Sequence, residues 1–385
     1  MALENLLSKS SHLLEPASVL RAKAGVPEAT RSPLPIEVLD SIFRFLSKSE
    51  LLPATRVSRI FNDVSTRVLY HTIEELEPVV SIILLRKLDR ETRLQPLVRR
   101  LEINWASATI EPTRNLYFLL HRVLTKLKGL MALSVELPRT GSQIWILDGC
   151  SFTLRYFSTS MACDARLAQY LDSQPSLTDL TLRGYHHGIN TMPSFLGLFS
   201  GPETTDNYFK LLPTSLPRLT SLRTVHGGPS IIASVVEGRP IQAASIALFP
   251  STSLESLRSL SLSSAPMRRL SIMSFDPTVQ DCLVSELATR FPHLEALHVV
   301  VLLSEFTDKS LRELGPSLAP FKSLQYITFM AATDRVASPH EEQAIAKIWH
   351  HWCPTLKTII LPRGKVWFSE GPEGQLEWSS LDADD

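Results

Sequence analysis

Apolar positions along this chain change rhythm twice. Between Ser32 and about Glu75 they recur at helical offsets. Pro35 suits a first helical turn, and Leu39, Ile42, Phe43 and Leu46 then fall on one stripe. Ser49 is placed to cap a second helix, followed by Glu50, Leu51 and Leu52. A third helix sets Val57, Phe61, Val64 and Val68 at offsets of 4, 7 and 11, again one face. Three helices this short cannot enclose all of their leucines, so part of the apolar surface calls for a cover.

From Leu76 to Phe368 the helical rhythm gives way to a loose repeat, L-x-x-L-x-L or an apolar equivalent, behind helical or loop stretches of variable length. Its instances begin at Val98, Leu130, Leu154, Leu177, Leu219, Leu257, Leu294, Leu324 and Leu356, spaced 23 to 42 residues apart. In a chain that is 44% apolar, three chosen positions are all apolar about a tenth of the time, so the bare pattern is weak. The longer form P-x-L-x-x-[LI] is stronger. It occurs at Pro175, Pro217, Pro292 and Pro354, completed by Leu180, Leu222, Leu297 and Ile359. Residue frequencies give roughly one such match by chance.

The repeat has a physical reading. Residues two apart on a strand share a face, so Leu180 and Leu182 point inward together, and Leu177 enters the same layer from the preceding turn. One unit cannot bury its apolar face alone; stacked parallel units can. Stretches 111–128, 278–290 and 339–352 carry helical patterns and would form an outer wall. The expected fold is therefore α/β: a three-helix domain, then an irregular solenoid with parallel strands on its concave face and helices on its convex face. The divisions are a flexible arm over 1–31, the helical domain over 32–75, the solenoid over 76–368 and an acidic, disordered tail over 369–385. Glu370, Glu373, Glu377, Asp382, Asp384 and Asp385 stand in that tail without a base.

Charge narrows the function classes. The 39 basic and 39 acidic residues cancel, which speaks against a general nucleic-acid or membrane-surface binder. A local basic run, Arg86, Lys87, Arg90, Arg93, Arg99 and Arg100, reads as a solvated helix face. Four scattered cysteines without a C-x-x-C pair fit a reducing compartment, and no secretory signal or bilayer-length apolar run is present. The expectation is a cytoplasmic or nuclear protein.

Catalytic and cofactor signatures are missing. No G-x-S-x-G, G-x-x-x-x-G-K-[ST], H-E-x-x-H or G-x-G-x-x-G stretch occurs, so no catalytic residue, cofactor or metal is assigned. His350-His351-x-Cys353 and His186-His187 lack the paired spacing zinc requires.

The run Leu34-Pro35-Ile36-Glu37-Val38-Leu39, with Ile42-Phe43, Leu46, Leu51, Val57-Ser58-Arg59 and Phe61, resembles an F-box, and every spacing fits without a gap. The repeats, with Cys353-Pro354-x-Leu356-x-x-Ile359-x-Leu361 as the cleanest, resemble the leucine-rich repeats that often follow F-boxes. The layout is similar to that of fungal F-box proteins. Two departures are Pro53 inside the second helix and Tyr70 near the place where a Trp is common. The resemblance implies a Skp-type adaptor as partner, contacted by Leu34, Pro35, Leu39, Ile42, Leu46, Leu51, Val57 and Phe61. It further implies a cullin-RING ubiquitin ligase, for which the repeats select a protein substrate.

Strand parity then points to a substrate surface. If Leu180 and Leu182 face inward, Asp179, Thr181 and Arg183 face out, as do Arg100, Glu102, Asn104, Ser259, Ser261, Ala296, His298, Tyr326 and Thr328. Arg183, His298 and Tyr326 are the expected anchors, since arginine and aromatic side chains contribute most per residue at interfaces. The rival readings are an interaction scaffold outside any ligase and an enzyme hidden within 184–250.

Overall fold

The computed structural model of the chain describes residues 34–76, 78–106, 112–138, 143–184, 208–332, 339–362, 364–370 and 377–381. The expected arm over 1–31, His186-His187 and most of the irregular stretch 184–215 lie outside the described residues. The chain divides into two compact units, one of residues 1–138 with 145–152, the other of 139–144 with 153–385. The helical domain belongs to one compact unit with the first strands.

In the first unit, α1 spans Ile36–Phe43, α2 Lys48–Ala54 and α3 Arg59–His71. Pro35 precedes α1 as expected. The α2 cap is Ser47 rather than Ser49. The Ser47 hydroxyl accepts from the Glu50 N–H while the Glu50 carboxylate accepts from the Ser47 N–H, so the glutamate selects the earlier serine. Pro53 sits in the last turn, where α2 is ending anyway. Ser58 caps α3, which leaves Val57 in the turn before the helix rather than on its stripe. Leu39, Phe43, Leu51 and Val64 form the core, with Phe61 edge-on to Phe43 at 5.2 Å.

The strands β1 (Thr72–Leu76), β2 (Arg100–Asn104) and β3 (Ala132–Glu136) pair in parallel. Helices α4 (Pro78–Arg90) and α5 (Arg114–Leu124) are in the same unit. Asp89 on α4 takes Lys126 at 2.6 Å and Arg122 at 2.7 Å. The basic run is largely committed to protein groups: Arg93 pairs with Glu91, Arg100 with Glu102, and Arg99 donates to the Gly129 carbonyl at 2.7 Å. Lys87 lies over the Tyr70 ring at 5.8 Å.

In the second unit, β4 (Tyr156–Thr159), β5 (Asp179–Leu182), β6 (Ser221–Thr224), β7 (Ala243–Leu248), β8 (Arg269–Ser274), β9 (Ala296–Glu305), β10 (Tyr326–Ala332) and β11 (Thr358–Ile360) pair in parallel, in chain order. Helices α6 (Ala165–Asp172), α7 (Pro229–Val236), α8 (Ser253–Leu260), α9 (Leu283–Arg290), α10 (Asp308–Glu313) and α11 (Pro339–Trp352) alternate with them. Phe157 on β4 meets Tyr170 on α6, and Phe329 on β10 meets Trp349 on α11, so helices cover the leucine-bearing face. This is an α/β solenoid-like repeat region. Leu222, Ile246, Ile272, Val299 and Phe329 are buried on their strands, as the period of two requires.

Two hydrogen-bond devices repeat. Across each P-x-L, the leucine N–H returns to the carbonyl before the proline: Leu177 to Gln174, Leu219 to Leu216, Leu294 to Phe291 and Leu356 to Cys353, at 3.1–3.3 Å. Proline at the second position of a tight turn is pre-set for that path. One carbonyl just before each strand then accepts two N–H groups from the next repeat. Arg155 receives Thr178 and Asp179; Thr178 receives Thr220 and Ser221; the rung continues through Thr220, Gln242, Arg268, Glu295 and Gln325.

Two expectations fail here. The instance Leu257-x-x-Leu260-x-Leu262 is not a strand: Leu257 and Leu260 are buried on α8, so Ser259 and Ser261 belong to no sheet face. An L-x-x-L spacing serves a helix equally well. The strands of that stretch are β7 and β8, whose phrases Ile241-x-x-Ala244-x-Ile246 and Met267-x-x-Leu270-x-Ile272 fit the same pattern. The tail expected over 369–385 also departs. Val366–Glu370 forms β12, antiparallel to β11, and Glu377–Leu381 forms β13, antiparallel to β12. Backbone pairing with an available strand edge needs no apolar side chain, so acidic composition did not prevent it.

Candidate functional site

The helical domain buries one stripe and leaves another uncovered. Leu39 and Leu51 are 3% and 2% exposed, and Leu46 and Phe61 pack partly against the core. Leu39 and Leu51, expected as adaptor contacts, therefore face inward. Leu34, Pro35 and Ile42 are exposed, and Val57 is 66% exposed. The structure adds residues the pattern reading passed over: Ile36, Val38, Ile60 and above all Phe45, which is 90% exposed. Val38, Ile42 and Phe45 stand at offsets of 4 and 7, a second stripe beside the buried one. That spacing was available in the sequence, but the stronger core stripe absorbed Ile42. Exposed large apolar side chains gathered on a small helical domain make it a candidate contact surface.

The stripe is held by polar clamps. Asp40 pairs with Arg44 on its own helix and with Arg67 on α3, both at 2.8 Å. Burial alone would raise the Asp40 pKa, but the two guanidiniums hold it below the ordinary carboxylate value. The Asn62 amide donates to the Thr55 carbonyl at 2.8 Å, tying α3 to the end of α2.

On the repeat sheet, the face opposite the helices carries aligned side chains. One register row runs Asp179, Ser221, Ala243, Arg269, Ala296 and Tyr326; the next runs Thr181, Arg223, Ser245, Ser271, His298 and Thr328. A shallow depression of about 240 Å³ lies over β6 to β10 and includes His298 and Tyr326 among its walls. Its floor is made of small side chains, Ala243, Ser245 and Ala296. Tyr326 is 51% exposed and His298 is exposed, with its Nδ1 3.1 Å from the Ser271 hydroxyl. Arg183 does not line this depression; it follows β5, half-buried, with its N–H on the Thr159 carbonyl at 2.8 Å. Thr181 is buried, unlike its neighbours along the row. Arg223 and Arg269, both lining the depression, were not among the expected anchors. Arg223 was hidden behind the Leu219 instance and Arg269 behind the strand missed at β8.

Among the described residues there is no group of three or more potential ligands that could hold a metal ion. His350 instead lies with Nδ1 3.2 Å from the Leu356 carbonyl, and Cys353 is buried beside Thr355. Among the described residues, no helix is long and apolar enough to cross a membrane.

Comparison with known proteins bears on the first unit. Residues 32–74 match the F-box-like family. No curated protein matches the chain. Among solved structures, a Bacteroides fragilis protein is 15% identical, with a TM-score of 0.39 over 69% of this chain and 67% of its own. The TLR13–ssRNA13 complex contains a chain 12% identical, with a TM-score of 0.27 over 69% of this chain and 42% of its own.

Proposed function

We propose that the protein is the non-catalytic substrate-recognition subunit of a Skp–cullin–F-box ubiquitin ligase, acting in the cytoplasm or nucleus. The F-box docks a Skp-type adaptor, and the repeats, read as leucine-rich repeats, hold the substrate. The observation that carries this reading is the exposure of Leu34, Ile36, Val38, Ile42, Phe45 and Val57 on a segment that matches the F-box-like family. A solvent-facing Phe45 beside Ile42 is a liability unless a partner covers it, and Leu-sized side chains contribute roughly 1.5–3 kcal/mol each when fully buried. The repeat sheet supports the second half, because its helix-free face is a mixed polar surface on a largely apolar base.

The test is affinity purification of the full chain against a Leu34→Ala, Pro35→Ala variant, with the proteasome blocked and partners read by mass spectrometry. Both residues are exposed, so the domain core is left intact. The expected result is recovery of a Skp-type adaptor and a cullin with the wild type and loss of both with the variant. Recovery of the adaptor without a cullin favours a scaffold outside the ligase. Wild-type adaptor levels on the variant would remove the F-box reading.

A further inference from the structure

The depression on the helix-free face of the second unit holds two arginines and no acid among its lining residues. Arg223 on β6 and Arg269 on β8 are exposed, and neither forms an ion pair with any described residue. β7 runs between them, and the residues it places between the two arginines on this face are Ala243 and Ser245, with Ala247 beyond. The two guanidiniums therefore meet no bulk in between. Their Cα positions are two strands and two residues apart, roughly 12 Å from strand spacing and rise. Arginine side chains of ordinary length can converge across that gap or hold two anionic groups side by side. His298 and Tyr326 form the far wall, and the Ser245 and Ser271 hydroxyls lie at the floor.

No carboxylate lines the depression. Of the acids at its borders, Glu295 pairs with Arg268 at 3.1 Å, and Asp179, on the neighbouring β5 outside the lining, accepts the Thr178 hydroxyl at 2.7 Å. In a chain whose formal charges cancel, an acid-free floor between two unpaired arginines is a local departure. Guanidinium groups bind carboxylates and phosphates in paired hydrogen bonds, and the imidazole and hydroxyls add further polar contacts.

We propose that this depression captures an acidic peptide segment, with two anionic side chains placed two or three residues apart meeting Arg223 and Arg269. The peptide backbone crosses β7 over Ala243 and Ser245, where small side chains give it room. Tyr326 packs against its apolar part. The proposal rests on the sheet face being the substrate surface and specifies the class of substrate it takes. The anion is a carboxylate or a phosphate, since both present the acceptor geometry a guanidinium pairs with.

The experiment selects a random displayed 12-residue peptide library on the purified full chain, with parallel selection on Arg223→Gln, Arg269→Gln and on Arg223→Glu, Arg269→Glu. Both positions are exposed, and unchanged melting confirms that the variants fold. The expected outcome is severalfold enrichment of Asp and Glu pairs on the wild type, absent from the Gln variant and replaced by Lys and Arg on the Glu variant. Binding of selected peptides should weaken at least tenfold from low to high salt. A synthetic array carrying phosphoserine or Ser at the selected acidic positions identifies the source: tighter binding of phosphoserine than of Asp assigns the anion to phosphate, and the reverse to carboxylate. Selection of neutral or basic peptides, or acidic enrichment that persists on the Gln variant, overturns the proposal. Adaptor capture by the same Gln variant is expected to be unchanged, so failure here is distinguishable from failure of the F-box reading.

Discussion

Arg239 is 3% exposed, and its guanidinium donates to the carbonyls of Leu212 and Ser215 at 2.8 Å, Ser234 at 2.8 Å, Glu237 at 3.1 Å and Val235 at 3.2 Å. It joins the end of α7 to the segment before β6, where Leu216 is held at φ 54° ahead of Pro217. A left-handed leucine costs roughly 1–2 kcal/mol, and the guanidinium fixes the carbonyl beside it. Burial lowers the Arg239 pKa from its high ordinary value, yet no other side chain carries five donors in a fork. Arg239→Lys should therefore cost about 2–3 kcal/mol, read as a lowered denaturation midpoint, because buried carbonyls lose their donors. Asp276 works the opposite way, as an acceptor. Its carboxylate takes the Ser253 hydroxyl at 2.6 Å and the Thr278 hydroxyl and N–H at 2.6 and 2.9 Å. Burial pushes its pKa up, but these hydrogen bonds outweigh burial and hold it below the ordinary 3.8. A carboxyl lowered in the folded state contributes stability that is complete above 3.8 and is lost as pH falls through the folded value. The melting-temperature gap between wild type and Asp276→Asn should accordingly be widest near neutral pH and close in strong acid. A gap independent of pH would contradict this linkage. Cys163 supplies a third check. Burial first, and Asp164 second, push its thiol up to about 12, so iodoacetamide at pH 8 should modify it only after denaturation.

At the scale of elements, a proline turn leads into β5, β6, β9 and β11, and a threonine hydroxyl closes β4 and β6. The P-x-L turn brings the chain in, as at Phe291-Pro292-His293-Leu294. At the other end, the Thr159 hydroxyl accepts the Met161 N–H at 3.1 Å, and the Thr224 hydroxyl accepts the Gly227 N–H at 2.9 Å. Both threonines occupy the last inward slot of the repeat, where an apolar residue such as Leu182, Ile246 or Val299 stands in other units; they turn the chain instead of only filling the layer. A Cβ at Gly227 would collide with the Thr224 hydroxyl, so the glycine and the threonine are chosen together. Pro292→Ala should lower stability by about 0.4–1 kcal/mol, through greater freedom in the unfolded chain. Equilibrium unfolding with an unchanged denaturant slope would show it. These devices explain what could be read in advance. The P-x-L units located β5, β6, β9 and β11 because proline marks a turn, and α11 was legible over its full length, Pro339–Trp352. The strands β7 and β8 were not, because Ala244 is a weak apolar signal and the leucines of α8 imitate the repeat. Of the exposed apolar side chains of the helical domain, Leu34 and Ile42 were legible from the family phrase. Phe45 was not, because which of two adjacent stripes is buried depends on where α3 packs.

At the scale of the whole molecule, the two units should respond separately to damage. Leu297 is 2% exposed between β8 and β10, and Leu297→Ala should cost about 2–5 kcal/mol. Because stability in stacked repeats is close to a sum over neighbours, amide exchange should quicken in β8 to β10 while α1 to α3 keep their protection. Uniform loss of protection across both would refute that independence. The exposed Phe45 stripe gives the complementary expectation: the full chain should be more soluble when co-expressed with a Skp-type adaptor than alone, compared as soluble fraction at equal expression. The rung of shared carbonyls bears on how such a chain can change over generations. Each strand is positioned by one backbone oxygen of the preceding repeat, from Arg155 to Gln325, and the oxygen is indifferent to which side chain carries it. Nor does it register how much chain intervenes, which ranges from 22 residues between Thr220 and Gln242 to 42 between Thr178 and Thr220. Insertions and deletions between strands can therefore accumulate without shifting the alignment of the rows. A lineage can rewrite the residues at Arg223, Arg269 and Tyr326, and with them the chemistry of that face, while inheriting the scaffold unchanged.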